Sequence, residues 1–287
     1  MLGQHHRTMK PRILTVGHAC LDIVHRLPRI PNPNTKVDSR EVIIQIGGNA
    51  ANAAAAICDM GAKASLCSVL GTEHHPFTRI LSSLLLQRGV DGTLCRYDSD
   101  QPCPSSTIMV LDDGERAIMN WQGDAIRNAT SIPEQLDGFS LVMADSYRLP
   151  MVRQIFHMAK LAGIPTMLDV DGPLSDIGLL PAADYIWFSE EAWRARRIPL
   201  PDLQARFKGL VGITDGDRPV RWIVPNGTIE YHHPMNVKPT NTLGAGDVFR
   251  ARFGLGIALG EDARTAISES CAAAAAHITG NELPRIC

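Results

Sequence analysis

No charge of either sign dominates this chain: 28 Lys and Arg stand against 30 Asp and Glu, for a formal net charge of −2. The signs are interspersed, so there is neither a basic stripe for nucleic acid nor an acidic tail. No apolar run approaches membrane-spanning length, and the polar first ten residues lack the apolar core of a secretory signal. The seven cysteines form no C-x-x-C pair; several sit in apolar runs where a buried thiol is the ordinary state, which points to a reducing cytoplasm. Repeats and low-complexity linkers are also missing. The 287 residues therefore read as one domain over 11–287, after a disordered leader 1–10 within which Met9 is an alternative start. His5-His6 in that leader has no further ligands and reads as a solvated tail.

What is present is alternation. Short apolar runs at Ile13–Val16, Ala64–Val69, Leu141–Ala144, Pro165–Asp169, Tyr185–Phe188 and Leu210–Ile213 read as strands. Helical patterns at Ala53–Met60, Pro76–Arg88, Met151–Ala162 and Glu190–Arg196 fall between them. The pattern predicts an α/β fold, a doubly wound and largely parallel sheet with helices on both faces. Two stretches, about 23–46 and 105–121, break the alternation with β-rich runs without intervening helices, the second being a hairpin pattern around Asp112-Asp113-Gly114.

Two glycine turns carry chemistry. Asn241-Thr242-Leu243-Gly244-Ala245-Gly246-Asp247 opens an apolar helical run to Leu259. Small residues let main-chain N–H groups approach an anion, and a helix start adds unpaired donors and a favourable dipole, so the turn suits a phosphoryl group. Asp247 would then sit where a carboxylate accepts a proton from an attacking hydroxyl. The same residues are also compatible with a plain strand–helix connection capped by an Asp. The second turn, Gln45-Ile46-Gly47-Gly48-Asn49-Ala50-Ala51-Asn52, follows Val42-Ile43-Ile44 and opens another helix. Asn49 and Asn52 share one side of its first turn, and their amides offer the donor and acceptor that sugar hydroxyls require; a cap on an Ala-rich helix is the structural alternative for Asn49. Both turns are expected at the carboxyl ends of parallel strands, in one cleft.

These paired signatures, with Ile13-Leu14-Thr15-Val16-Gly17 leading to Leu21-Asp22, the segment Gly114 to Asn120 and the late Thr214-Asp215-Gly216, resemble the ribokinase-like, or PfkB, carbohydrate kinases. The resemblance spans nearly the whole chain. It implies phosphoryl transfer from ATP, with Mg²⁺ travelling on the nucleotide, to a hydroxyl of a small carbohydrate, and a homodimer formed through a small β-sheet lid made of the two stretches about 23–46 and 105–121. Asp247 is implied as the base and the N–H groups of Gly244, Ala245 and Gly246 as the anion cradle. Asp22, Gly47, Gly48, Asn49 and Asn52 are implied on the sugar side. Ser189, Glu190, Thr214, Gly216, Asn241, Thr242, Ala273 and Ala276 are implied on the nucleotide side, in part from the helix Ser270 to Ile278.

The local texture around Asn34-Thr35-Lys36, Ala117 to Asn120, Met143-Ala144-Asp145, Met167-Leu168-Asp169 and Phe188-Ser189-Glu190 is most similar to ketohexokinases and sulfofructose kinases. Lys36, Asn120 and Arg148 would grip an anionic substituent on a ketose, with an unsubstituted ketose as the neighbouring expectation. Three positions depart from the family pattern: Asn241 replaces an Asp, Ser189-Glu190-Glu191-Ala192 replaces an Asn-x-x-Glu element, and Pro219 replaces a glycine. They leave a nucleoside kinase of the same fold, or a non-catalytic sugar or nucleotide sensor, as rivals. The predicted lid offers Trp121 and few other rings for a second base, and a retained Asp247 argues against the sensor.

Overall fold

Strand residues with a period of two feed two separate cores. Ile13, Leu141, Met143 and Met167 pack into one, and Leu14, Val142, Ala144 and Leu168 into the other. This is the signature of a sheet covered on both faces.

The computed structural model describes residues 10–97, 100–112, 115–123, 130–172, 183–195, 199–207 and 209–286. Leader residues 1–9, the hairpin tip Asp113-Gly114, the expected helix end Arg196 and Cys287 lie outside the described residues. In chain order the elements are β1 (Arg12–Val16), β2 (Cys20–Leu27), β3 (Glu41–Gly47), α1 (Asn49–Asp59), β4 (Lys63–Cys67), β5 (Val69–Leu70), α2 (Pro76–Gln87), β6 (Arg96–Tyr97), β7 (Ser105–Leu111) and β8 (Arg116–Trp121). There follow β9 (Leu141–Asp145), α3 (Leu149–Leu161), β10 (Thr166–Val170), β11 (Tyr185–Ser189), α4 (Glu190–Arg194), α5 (Leu200–Arg206), β12 (Leu210–Thr214), β13 (Val220–Ile223), β14 (Ile229–His232), α6 (Ala245–Ala258) and α7 (Ala263–Ile278).

The main sheet has eight strands in the order β14-β13-β12-β11-β10-β9-β1-β4. From β4 to β12 every pairing is parallel. The β13–β14 edge is antiparallel and was not among the expected strands. Chain order reverses direction at β1, between β4 and β9, which opens a crevice at the carboxyl ends of the strands. A second, four-stranded sheet, β3-β2-β7-β8, is formed by the two stretches expected as the lid, with β7 and β8 forming the expected hairpin. Among the described residues no helix is long and apolar enough to cross a membrane.

Helices begin earlier than periodicity predicts. α1 starts at Asn49 rather than Ala53 because Gly48, at φ 87°, ends the strand abruptly. α3 starts at Leu149 rather than Met151 because Pro150 suits a first helical turn. An aromatic cluster joins α6 to the sheet: Trp187 on β11 meets Phe249 and Phe253 edge-on, each at 4.9 Å between ring centroids. A Cβ at Gly212 on β12 would overlap the Trp187 ring, so that glycine makes the room. This apolar clamp fixes α6, and with it the turn that precedes it, against the sheet.

Candidate active site

Gly244 adopts a left-handed φ of 77° and starts α6, a conformation that a side chain disfavours. Val248 N–H to the Gly244 carbonyl (3.0 Å) is the first helical bond, so the N–H groups of Ala245, Gly246 and Asp247 precede the ladder at the positive end of the helix dipole, that of Ala245 donating weakly to the Thr242 carbonyl at 3.4 Å. Behind this turn, the Ile278 carbonyl at the end of α7 accepts from the Thr240 N–H (2.7 Å), the Thr240 hydroxyl (3.0 Å) and the Asn241 N–H (3.3 Å). The Asn241 side chain accepts from the Leu243 N–H at 3.0 Å, closing the turn on itself, and Thr242 is exposed.

Each glycine of the first pair is dictated by a different neighbour. A Cβ at Gly47 would overlap the Asp22 carboxylate, and one at Gly48 would lie 2.5 Å from the His18 carbonyl oxygen. Asp22 is buried in β2, where its carboxylate accepts from the Cys20 thiol at 3.3 Å. Burial pushes its pKa up, against the lowering effect of Cys20 and Ser106. Gln45, Asp22, Ser106 and Asn120 stand in register as one polar row across the lid strands β3-β2-β7-β8. Sequence reading named Asp22 and Asn120; Gln45 and Ser106 join them only through strand register.

The two asparagines reach separate acids. Asn52 Nδ2 donates to Asp247 Oδ2 at 2.8 Å, and Asn49 Nδ2 donates to Asp169 Oδ2 at 3.3 Å. Asp169 on β10 lies in register with Asp145 on β9, so two buried carboxylates stand side by side at the strand ends. Asp145 accepts from the His18 N–H (2.6 Å) and the Tyr147 N–H (3.0 Å). Asp169 is ion-paired with Arg250, a buried guanidinium one helical turn after Asp247. Burial lifts Asp145 to about 6 and Asp169 to about 7; nearby Arg148 and Arg250, respectively, oppose the rise. Burial and the neighbouring Asp169 charge together lift Asp247 to about 8, against Asn52 and Arg250. Sequence reading did not assign Asp145, Asp169 or Arg250; an acid ending a buried apolar strand was the available signal for the first two.

The remaining expected residues divide. Ser189 and Thr214 are register partners at the ends of β11 and β12. Ser189 caps α4 by accepting from the Ala192 N–H at 3.2 Å. Glu190 is ion-paired with Arg194 (2.7 Å) and Arg221. Gly216 has a left-handed φ of 57°. On α7, Ala273 is buried in the core and Ala276 is half-buried. Lys36 is exposed on the β2–β3 loop and Asn120 is exposed on β8. Arg148 is buried at the start of α3, beside His18 and Tyr147, with Nη2 3.4 Å from the Val69 carbonyl. A cavity of about 400 Å³ is bordered by Gln45, Asn52, Gly244 and His277.

This fold, with two glycine turns brought together by the Asn52–Asp247 hydrogen bond, matches known proteins over nearly the whole chain. The sequence profile of the pfkB family carbohydrate kinases matches residues 10–282. The chain is 27% identical over 257 residues to an ATP-dependent ribose-1-phosphate kinase of Halopiger xanaduensis, covering 84% of this chain and 83% of that protein. It is 26% identical over 273 residues to the ribokinase of Bacillus subtilis, covering 89% and 88%. Among solved structures, an Agrobacterium tumefaciens protein provisionally named a ribokinase superposes with a TM-score of 0.89 at 29% identity, over 96% of this chain and 95% of that one. Arabidopsis thaliana ribokinase in complex with ribose and ATP superposes with a TM-score of 0.78 at 19% identity, over 96% of each. Together with the ribokinase-like fold, these matches show that the chain belongs to the pfkB family of carbohydrate kinases, ATP-dependent phosphotransferases that act on sugars.

Proposed function

We propose that this kinase transfers the γ-phosphoryl group of MgATP to a hydroxyl of a small furanose sugar, and that a sugar already carrying an anionic group is its preferred acceptor. The carrying observation is the Asn52–Asp247 hydrogen bond, which joins the double-glycine corner to the base beside the anion cradle. Asp247 accepts the hydroxyl proton, while the first-turn amides of α6 hold the charge that develops on the transferring group. Such chemistry asks little of the protein beyond position and charge. Because Glu190 is already neutralised by two arginines, Mg²⁺ is assigned to the nucleotide as part of the substrate.

Two acceptors satisfy this description. An anionic ketose such as sulfofructose is supported by the texture around Lys36, Asn120 and Asp169; a ribose phosphate is supported by the Halopiger relative. Both are five-membered rings with an anionic arm. The cationic side chains that the family resemblance proposes for that arm are Lys36 and Arg148. A cytoplasmic setting is supported by the six free cysteines among the described residues.

The test is ADP release from MgATP with ribose, ribose 1-phosphate, fructose, sulfofructose and nucleosides in parallel. Turnover favouring the anionic furanoses supports the proposal. Preference for nucleosides would replace it with the nucleoside kinase reading, and sugar binding without any turnover would replace it with a sensor.

A further inference from the structure

We propose that His277 is a positioning residue for phosphoryl transfer, holding the Leu243–Gly244 peptide so that the Gly244 N–H faces the transferring group. The proposal rests on the kinase reading above and adds a residue to it. His277 lies in the last turn of α7, and its Nε2 is 2.7 Å from the Leu243 carbonyl oxygen. A carbonyl only accepts, so Nε2 carries the proton and donates. In a planar trans peptide the C=O and the following N–H point in opposite directions. Gripping the Leu243 oxygen therefore fixes the direction of the Gly244 N–H, which points away from the imidazole.

Gly244 needs this grip. With φ at 77° and no Cβ, its preceding peptide has little steric resistance to flipping. The imidazole packs directly on it: a Cβ there would lie 3.6 Å from Nε2. Polarising the Leu243 carbonyl also strengthens the N–H of the same peptide as a donor. The other bonds from the end of α7 reach Thr240 and Asn241, so among the described residues His277 is the α7 side chain that reaches the peptide entering the cradle. An imidazolium also donates from Nε2, so the hold survives protonation.

The ring borders the 400 Å³ cavity, which leaves room for a free imidazole molecule to replace it. The experiment compares wild type, His277→Ala and His277→Gln by steady-state kinetics on the best acceptor, with and without added imidazole, and by the ¹⁵N–¹H resonance of Gly244. We expect His277→Ala to lower kcat by about 10-fold to 100-fold, less than or equal to the loss of a whole oxyanion donor, with the sugar KM within about 2-fold. Imidazole or the glutamine amide restores part of that loss. The Gly244 resonance shifts in His277→Ala and returns with imidazole, a readout that needs no turnover and so separates this proposal from the kinase reading. An unchanged kcat and resonance overturns it, as does a loss that neither imidazole nor glutamine recovers. Should the alanine variant not fold, the glutamine variant and the Gly244 resonance decide: native kcat and resonance support the hold, and their loss with folding intact overturns it.

Discussion

Asn52 donates its side-chain amide to the Asp247 carboxylate at 2.8 Å, joining two glycine turns that lie 195 residues apart in the chain. The amide stabilises the ionised acid, the form that takes a proton from a sugar hydroxyl. Asp247→Asn keeps the shape but cannot accept that proton. The variant is expected to lose about 10²-fold or more in kcat while retaining sugar affinity, measured by coupled kinetics and calorimetry. A variant that turns over at the wild-type rate removes Asp247 from its role.

The same acid should cost the protein stability. An exposed Asp titrates near 3.8 and Asp247 near 8, so across that window the folded protein holds a proton that the unfolded chain has released. Stability contributed by this group therefore falls as pH rises from about 4 to about 8. Asp247→Asn is expected to raise the melting temperature by about 2–4 °C or more, with the gain larger near pH 9 than near pH 5. The wild-type kcat/KM should rise with pH through the same region, because only the ionised acid is the base. A flat profile of both quantities would contradict the raised pKa.

The two glycine turns were legible because their information is local: Gly48 and Gly244 both need φ values that a side chain resists, and each is followed at once by a helix. Asp145, Asp169 and Arg250 were not, because nothing near each of them in sequence names the others. Strand order β9-β10 and a register fix the two acids side by side, and one helical turn fixes Arg250 beneath Gly246. The polar row Gln45, Asp22, Ser106 and Asn120 has the same origin, since it exists only when four strands are paired. Likewise, the edge strand β14 and its neighbour β13 are only four residues each and of mixed polarity, as in Ile229–His232, without the apolar run that marked the central strands.

Arg250 and Asp169 form a buried pair, with the guanidinium only 3% exposed. Removing one member leaves the other charge buried without its counter-ion. Arg250→Met is therefore expected to destabilise by about 3–5 kcal/mol in denaturant titration. The double variant Arg250→Met with Asp169→Leu should recover much of that loss, because no unpaired charge remains. Equal destabilisation of the single and double variants would mean that packing rather than charge sets the cost.

Gly47→Ala places a methyl group where the Asp22 carboxylate sits. Asp22 must rotate or β3 must shift, and either change disturbs the polar row of the lid. The expected result is a sugar KM raised by about 10-fold, one RT ln 10 step of about 1.4 kcal/mol in binding, with kcat changed less. Gly48→Ala differs, because its φ of 87° and the His18 carbonyl oppose any side chain through the backbone. That variant should lose stability first, seen as a lower melting temperature. A Gly47→Ala protein with unaltered sugar KM would remove Asp22 from the acceptor site.

The lid carries an apolar face opposite its polar row. Ile44, Ile23, Thr107 and Met119 stand in register across β3-β2-β7-β8, and Ile44 and Met119 are 47% and 65% exposed. Val42, on the same face of β3, is 55% exposed. Apolar side chains clustered on one sheet face are what a self-complementary interface buries, and a second copy of this lid supplies the same chemistry in return. The protein is therefore expected to sediment as a dimer at micromolar concentration. Ile44→Lys should convert it to a monomer, since a C2 interface meets each substitution twice. The eight-stranded body, which shares no residue with that face, should keep its melting behaviour. A wild-type monomer at all attainable concentrations, or an Ile44→Lys protein that remains dimeric, assigns this face some other role.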